Sequence, residues 1–294
     1  MKLNALWLVL ACSCLASCKM TAGNIDFGAL SKVGSSLTQL GSIDEPQELA
    51  LGDDFAAMLL GASKLHPNKA LQSYVNNVGR YLASYSDRPD LPWTFGVLDT
   101  PDLNAFAIPG GYVFVTSGLL ANLNSEAELA VVLAHEIAHV TERHQLAQLE
   151  RDNSMNFLSS LATTVVSYQE QRKPGSGLNN YRNRQIADSV LNAGQQLFTK
   201  GLSRDDELAA DTLAVRLAAR AGYDPYALAA VMQKLDSMQG NSSAISLLLA
   251  THPAPADRLT NIEQQLQKLE KQHPDTRSVR LDLPERYQAA LRRK

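Results

Sequence analysis

From Pro46 onward, apolar positions recur with a helical period. The stretches "PQELALGDDFAAMLLGASK" and "PNKALQSYVNNVGRYLASYS" each open on proline, which suits a first helical turn, and together they predict a helical pair. The pattern then shortens. In "PWTFGVLD" and "LNAFAIPGGYVFVTS", β-branched and aromatic residues flank Pro109, Gly110 and Gly111, predicting a strand, a second strand, a tight turn and a third strand. Residues 118–123 predict a turn into a helix carrying "LAVVLAHEIAH", and Ser125 with Glu128 three residues later reads as the capping box that starts it. Helical spacing returns in 155–168, in a segment running to about Lys200, and in 203–221, 225–237 and 255–271, with the polar "QRKPGSGLNNYRNRQ" interrupting it. The expected fold class is α+β, mainly helical, with a small three-stranded sheet.

The N-terminal end follows neither pattern. In "MKLNALWLVLACSCLASCKM", Lys2 precedes an apolar stretch from Ala5 to about Ala16, the shape of an export signal and too short for a comfortable membrane span of roughly 20 residues. "LASC" resembles the bacterial lipobox, so residues 1–17 read as a lipoprotein signal peptide and Cys18 as the lipidation site. Lys19 follows that cysteine, and by resemblance to known sorting rules the absence of Asp there favours the outer membrane, with the chain facing the periplasm. Eight of positions 19–43 are Gly or Ser, so 18–43 read as a lipidated N-terminus and flexible tether reaching roughly 25 to 30 Å. A docking helix built on Phe27, Leu30, Val33 and Leu37 is the alternative. Residues 44–275 are then expected to form one catalytic-size domain and 276–294 a C-terminal helical tail.

Composition narrows the function. Formal net charge is -3 and Lys and Arg are scattered, so no basic face announces a nucleic acid. All three cysteines, Cys12, Cys14 and Cys18, precede the tether, and cleavage before Cys18 leaves no pair to form a disulfide even in an oxidising compartment.

Candidate chemistry concentrates in "VVLAHEIAHVTERH", which holds three of the chain's six histidines. On a helix, His135 and His139 lie one turn apart on one face and can share one ligand, while Glu136 lies beside that face. H-E-x-x-H is the helical zinc-protease signature: neutral imidazoles bind Zn2+ and the adjacent carboxylate takes a proton from water. One zinc ion per chain is expected. A catalytic zinc wants three protein ligands and an open position. Glu142 and Gln145 stand where the metzincin pattern requires glycine and histidine, so the third ligand comes from elsewhere. "SRDDELAAD" is the best candidate: Ser203 can cap a helix, Asp205 and Asp206 suit its dipole, and Glu207 and Asp211 share an inward face. Glu207 reads as the third ligand and Asp211 as the carboxylate that fixes the tautomer of a ligand histidine. His144, five residues past His139, is turned off the ligand face and reads as a structural residue donating to a nearby carbonyl or acid.

"HEIAH" followed by "RH", "SRDDELAAD", "NAFAIPGGYVFVTSGLL" and "THPAPADRL" resemble, in order, the motifs of the HtpX and CAAX prenyl protease family of zinc metallopeptidases, in its soluble, lipoprotein-anchored branch. The resemblance covers roughly residues 46 to 270. It implies a zincin-like core of the gluzincin type, in which His135, His139 and Glu207 hold zinc and Glu136 is the base. It also implies that "NAFAI" borders the cleft, with Asn104, Ala105 and Phe106 binding an extended substrate. His252 is then a cleft residue, either donating to the oxyanion or closing the metal site as a fourth ligand, and Arg258 can stabilise the same charge. The alternative makes His252 a helix-entry residue and Arg258 a surface or ion-pair residue.

The function these expectations describe is a zinc-dependent endopeptidase. It is anchored through Cys18 to the bacterial outer membrane and cleaves extended or misfolded envelope proteins. The rival is a chaperone-like envelope assembly factor whose metal site is closed by His252. A prenyl-protein protease is disfavoured because spanning helices for a lipid substrate are missing.

Overall fold

The computed structural model describes residues 43–151, 201–238, 245–252, 255–272 and 281–292. The expected leader, Cys18, almost all of the tether, the 155–168 helix and the segment up to Lys200 lie outside the described residues.

Helix α1 (Glu45–Ala62) begins with a full capping box, Asp44 and Gln47 each bonding the other's backbone N–H, with Pro46 in the first turn. In α2 (Lys69–Ala83) the cap is Asn68, which accepts from Leu71, so Pro67 stands before the cap rather than inside the helix. Three strands follow: β1 (Thr94–Leu98), β2 (Ala105–Ile108) and β3 (Tyr112–Thr116). The tight Pro109–Gly111 turn joins the last two, and Gly110 takes φ +80, which glycine adopts freely. The stretch expected as a turn after β3 is instead a short helix, α3 (Ser117–Asn122). Its start is capped by the Thr116 hydroxyl accepting from Leu119.

Helix α4 (Glu126–Thr141) carries the histidine motif, and every residue from Glu126 to Val140 is buried. Ser125 caps it as expected by accepting from Glu128 N–H. The reciprocal half of the box does not form. The Glu128 carboxylate bypasses Ser125 and takes the Asn124 backbone N–H at 2.8 Å and its side-chain amide at 3.1 Å. Lys234, 3.1 Å away, draws it in the same direction. The remaining helices are α5 (His144–Arg151), α6 (Arg204–Arg220), α7 (Ala227–Ser237), α8 (Ser246–Thr251), α9 (Pro255–Gln272) and α10 (Pro284–Arg292).

The sheet order is β1-β3-β2, with β1 parallel and β2 antiparallel to β3. Side chains alternate across it, as the period of two requires. Val97, Ala105, Ala107, Val113 and Val115 face the main core with α2 and α4, while Leu98, Ile108 and Phe114 face α1. Leu129, Leu133 and Ile137 of α4 are wholly buried in the main core, each worth about 1.5–3 kcal/mol by area alone. Helix α6 lies along α4, and α9 packs on both α6 and α7. The helix in the expected C-terminal tail, α10, docks on α2 and α4, where Tyr287 is buried and bonds the Leu120 carbonyl.

The two edges of the sheet differ. Along β1, the Gln72 side chain bonds both the N–H and the C=O of Val97, and Asn76 accepts from Phe95 N–H. Leu65 adds a bridge to Leu98, so α2 and its preceding loop close that edge. Along β2, Thr116 N–H donates to Asn104 C=O, which makes 104 and 116 a bonded pair. By the alternation of an antiparallel ladder, Ala105 and Ala107 then turn their backbone groups outward. Among the described residues no strand pairs with that outer edge. No helix among the described residues is long and apolar enough to cross a membrane.

Candidate metal centre

Two helices make the centre. On α4, the four-residue spacing brings His135 and His139 to one face, with their Nε2 atoms 2.9 Å apart. From α6 the Glu207 carboxylate enters between them, one oxygen 3.5 Å from His135 Nε2 and the other 3.5 Å from His139 Nε2. His252, at the C-terminal end of α8, places Nδ1 3.0 Å from Glu207. All four side chains are buried, and one ligand atom from each lies within 4.8 Å of the others. The spacing arguments for His135, His139 and Glu207 thus lead to one point in space, and His252 joins them there.

The ring of charge around this point is lopsided. Arg258, buried at the start of α9, forks onto Asp211 at 2.7 and 2.9 Å and reaches Glu207 at 2.9 Å. This is the ion-pair geometry weighed from sequence, and the guanidinium also lines the cleft. Asp211 in turn sits 3.1 Å from His135 Nδ1. With a proton on that nitrogen donated to Asp211, the Nε2 lone pair is turned towards the cluster. Among the described residues, Glu207 and Asp211 both face the Arg258 guanidinium, with Glu136 close by, so acidic side chains outnumber the arginine.

The ionisation of these groups follows from that imbalance. Burial and the Arg258 charge both oppose a proton on His135. The Asp211 and Glu207 carboxylates outweigh them and raise its pKa from 6.5 to about 9. Burial and the His135 charge push His139 well below its ordinary value. Burial would raise Glu207, but His252 and Arg258 hold it well below the carboxylate range; burial likewise opposes the Arg258 charge that keeps Asp211 low. A proton on His135 therefore offsets part of the negative charge of the carboxylates around it. Two imidazole nitrogens and a carboxylate, converged, buried and anionic in sum, suit a divalent ion.

Glu136 stands beside the cluster. Its Oε1 lies 3.7 Å from His252 Nε2, and its buried Oε2 has no hydrogen-bond partner among the described residues. A buried carboxylate oxygen with no partner costs free energy that a scaffold has no reason to bear. His135, Glu136, His252 and Arg258 form the polar floor of a cleft whose apolar walls include Val132, Leu228, Val231, Met232 and Leu248. Ala105 borders it from β2, whereas the Phe106 side chain lies on the opposite face of the sheet, against the α1 cluster. Asn104 is fully buried. Its Oδ1 accepts from Thr251 at 3.3 Å and its Nδ2 has no partner.

The side of the site that sequence spacing left out is the far ring nitrogen of His139. His144 Nδ1 lies 2.9 Å from His139 Nδ1, and both rings are buried. A continuous helix would have carried residue 144 about 140 degrees away from residue 139. Instead α4 ends at Thr141 and Arg143 takes φ +59, the left-handed region, before α5 begins. Arg143 is held there by Glu48 of α1, at 2.8 and 2.9 Å, and by the Ile43 carbonyl at 2.9 Å. Arg88 bonds the same carboxylate at 2.9 and 3.1 Å, and Gly110 N–H completes it at 3.3 Å. The "RH" after the motif was the available signal, yet it carries no hint of the left-handed residue that makes it matter.

Residues 69–266 match Peptidase family M48. The chain belongs to peptidase family M48. It is 32% identical over 255 residues to the putative beta-barrel assembly-enhancing protease of Vibrio cholerae, an alignment covering 86% of this chain and 50% of that protein. It is 29% identical over 218 residues to the beta-barrel assembly-enhancing protease of Escherichia coli (strain K12), covering 73% of this chain and 43% of the relative. A match to the mitochondrial metalloendopeptidase OMA1 of Schizosaccharomyces pombe is 30% identical over 193 residues, covering 66% of this chain and 52% of the relative. The chain spans about half the length of the curated relatives it matches. Membership of M48 accords with the metallopeptidase family that the four motifs resemble.

Proposed function

We propose that the protein is a zinc-dependent endopeptidase of the bacterial cell envelope. The observation that carries this reading is the buried convergence of His135, His139 and Glu207 beside a Glu136 oxygen that has no partner among the described residues. His135 Nε2, His139 Nε2 and a Glu207 oxygen would hold the ion. When bound, zinc supplies Lewis acidity, lowering the pKa of a water and polarising a peptide carbonyl. Glu136 takes the proton of the attacking water and returns it to the leaving amine. Asp211 and Arg258 hold His135 and Glu207 in register, and Arg258, on the floor of the cleft, adds positive charge near the developing oxyanion.

The substrate is an extended segment of protein. The outward backbone groups of Ala105 and Ala107 suit antiparallel pairing with it, whereas the fully buried Asn104 amide is out of its reach. The apolar walls beside Glu136 suit an aliphatic or aromatic side chain next to the scissile bond, of the kind that misfolded chains expose. Anchoring through Cys18 at the outer membrane, on the periplasmic side, follows from the lipobox-like "LASC" and accords with relatives named for beta-barrel assembly.

A second reading rests on His252, whose 3.0 Å approach to Glu207 and place in the cluster suit a fourth ligand that closes the site. The protein would then act chiefly as an assembly factor with little proteolysis. Cleavage of an unfolded casein-type substrate, with and without chelator, tests the main reading in parallel with the His252→Ala variant. Chelator-sensitive cleavage supports the peptidase, and a more active His252→Ala variant makes His252 a lid. Absence of cleavage in both proteins at full metal occupancy refutes the main reading.

A further inference from the structure

We propose that His144 is a positioning residue for the metal site. It accepts the Nδ1 proton of His139, and the Glu48-held left-handed turn at Arg143 is the device that brings it there. The inference rests on the reading of the cluster as a metal centre. If His139 gives its Nε2 lone pair to an ion, its neutral ring carries the proton on Nδ1. That nitrogen is buried and faces His144 Nδ1 at 2.9 Å. His144 must then accept there, which leaves its own proton on Nε2, directed towards Asp206 Oδ1 at 3.8 Å. One tautomer in each ring satisfies the series, and the opposite tautomer of His144 would set two N–H groups against each other.

The two α4 ligands are thereby supported in different ways. His135 is backed by a carboxylate, Asp211, itself pinned by Arg258. His139 is backed by a neutral imidazole, with an acid only beyond it. A neutral acceptor fixes ring orientation while adding no further negative charge to a cluster that already carries an excess.

The place of His144 depends on α1. A left-handed arginine is disfavoured by about 1–2 kcal/mol relative to the right-handed form. Glu48 offsets this with two contacts to the Arg143 guanidinium, and the Ile43 carbonyl adds a third. The segment entering α1 and the support of a metal ligand thus meet at one arginine.

Long-range 1H–15N spectra of the histidine-labelled, zinc-loaded full-length protein read this tautomer pair directly. The expected result is His139 as the Nδ1–H form and His144 as the Nε2–H form, and a proton on His144 Nδ1 overturns the proposal. Zn2+ affinity, measured by competition with a chromophoric chelator, supplies a second test. His144→Leu removes the acceptor and should weaken binding about 10- to 100-fold. His144→Asn, whose Oδ1 can stand in for Nδ1, should restore most of it and keep the visible spectrum of the Co2+-substituted site. Equal affinity in wild type, His144→Leu and His144→Asn refutes the positioning role. Failure of the wild-type protein to bind Zn2+ refutes the underlying metal reading instead.

Discussion

Two buried clusters of charge lie along α4, and they are built to opposite standards. Near the end of the helix, Glu48 has both oxygens bonded, by Arg88, Arg143 and the Gly110 N–H. One to two turns earlier, His135 and His139 point Nε2 at Nε2, a carboxylate enters between them, and a Glu136 oxygen has no partner among the described residues. The carboxylates of both clusters are buried, so satisfaction is what separates them. A closed network holds elements together. A network in which imidazoles and carboxylates converge with negative charge in excess is suited to a cation.

Breaking each cluster should therefore give different signatures. The largest effect is expected at Glu136. Glu136→Gln should lower peptide cleavage by about 10²- to 10⁴-fold, as loss of a general base does, while metal content stays that of wild type. Next is the stabilisation gained on filling the open cluster: at Zn2+ a thousandfold above its dissociation constant, unfolding free energy should rise by about 4 kcal/mol. Urea titration of the chelated and zinc-loaded protein reads this, and Glu207→Gln should remove most of the increment.

At the closed cluster, Glu48→Ala leaves two guanidiniums facing each other and should cost about 3 kcal/mol. That is the low end for breaking a buried pair, because the Arg143 side chain is 38% exposed. Most of this loss should already be present without zinc, whereas the effect of Glu207→Gln should appear only with it, which distinguishes scaffold from site.

A smaller effect sharpens the comparison through pH. With its folded pKa raised to about 9, His135 contributes to metal-free stability fully below about 6.5, and that contribution is lost as pH rises through 9. An ion must displace that proton. Zn2+ binding at pH 7 should release about one proton, and the release should vanish above pH 9. Calorimetric titrations in buffers of different ionisation enthalpy measure the difference.

Much of the open cluster was legible because its members sit on two regular helices, where a spacing of four is also a direction in space. His135, His139, Glu207 and Asp211 are each readable in this way. The closed cluster was not, since Glu48, Arg88 and Arg143 come from three elements and an arginine gives no local sign that it will take a left-handed φ. The same break hid His144: the helical extrapolation held up to Thr141 and failed two residues later. In the fold, periodicity marked the helices and the three strands, but not that β3 inserts between β1 and β2. Period two is silent about strand order. Ser125 shows a milder limit, where the cap forms and Lys234, more than a hundred residues away, contributes to pulling the second half of the box elsewhere.

The central claim is that the unsatisfied cluster is a divalent-metal site, and metal analysis of the purified full-length protein tests it most directly when Glu207→Gln and Glu48→Gln are run beside wild type. One zinc ion per chain is expected in wild type, with occupancy largely lost in Glu207→Gln and mostly kept in Glu48→Gln, whose amide oxygen can still accept from Arg143. No ion in the folded wild-type protein, or full occupancy in Glu207→Gln, would contradict it.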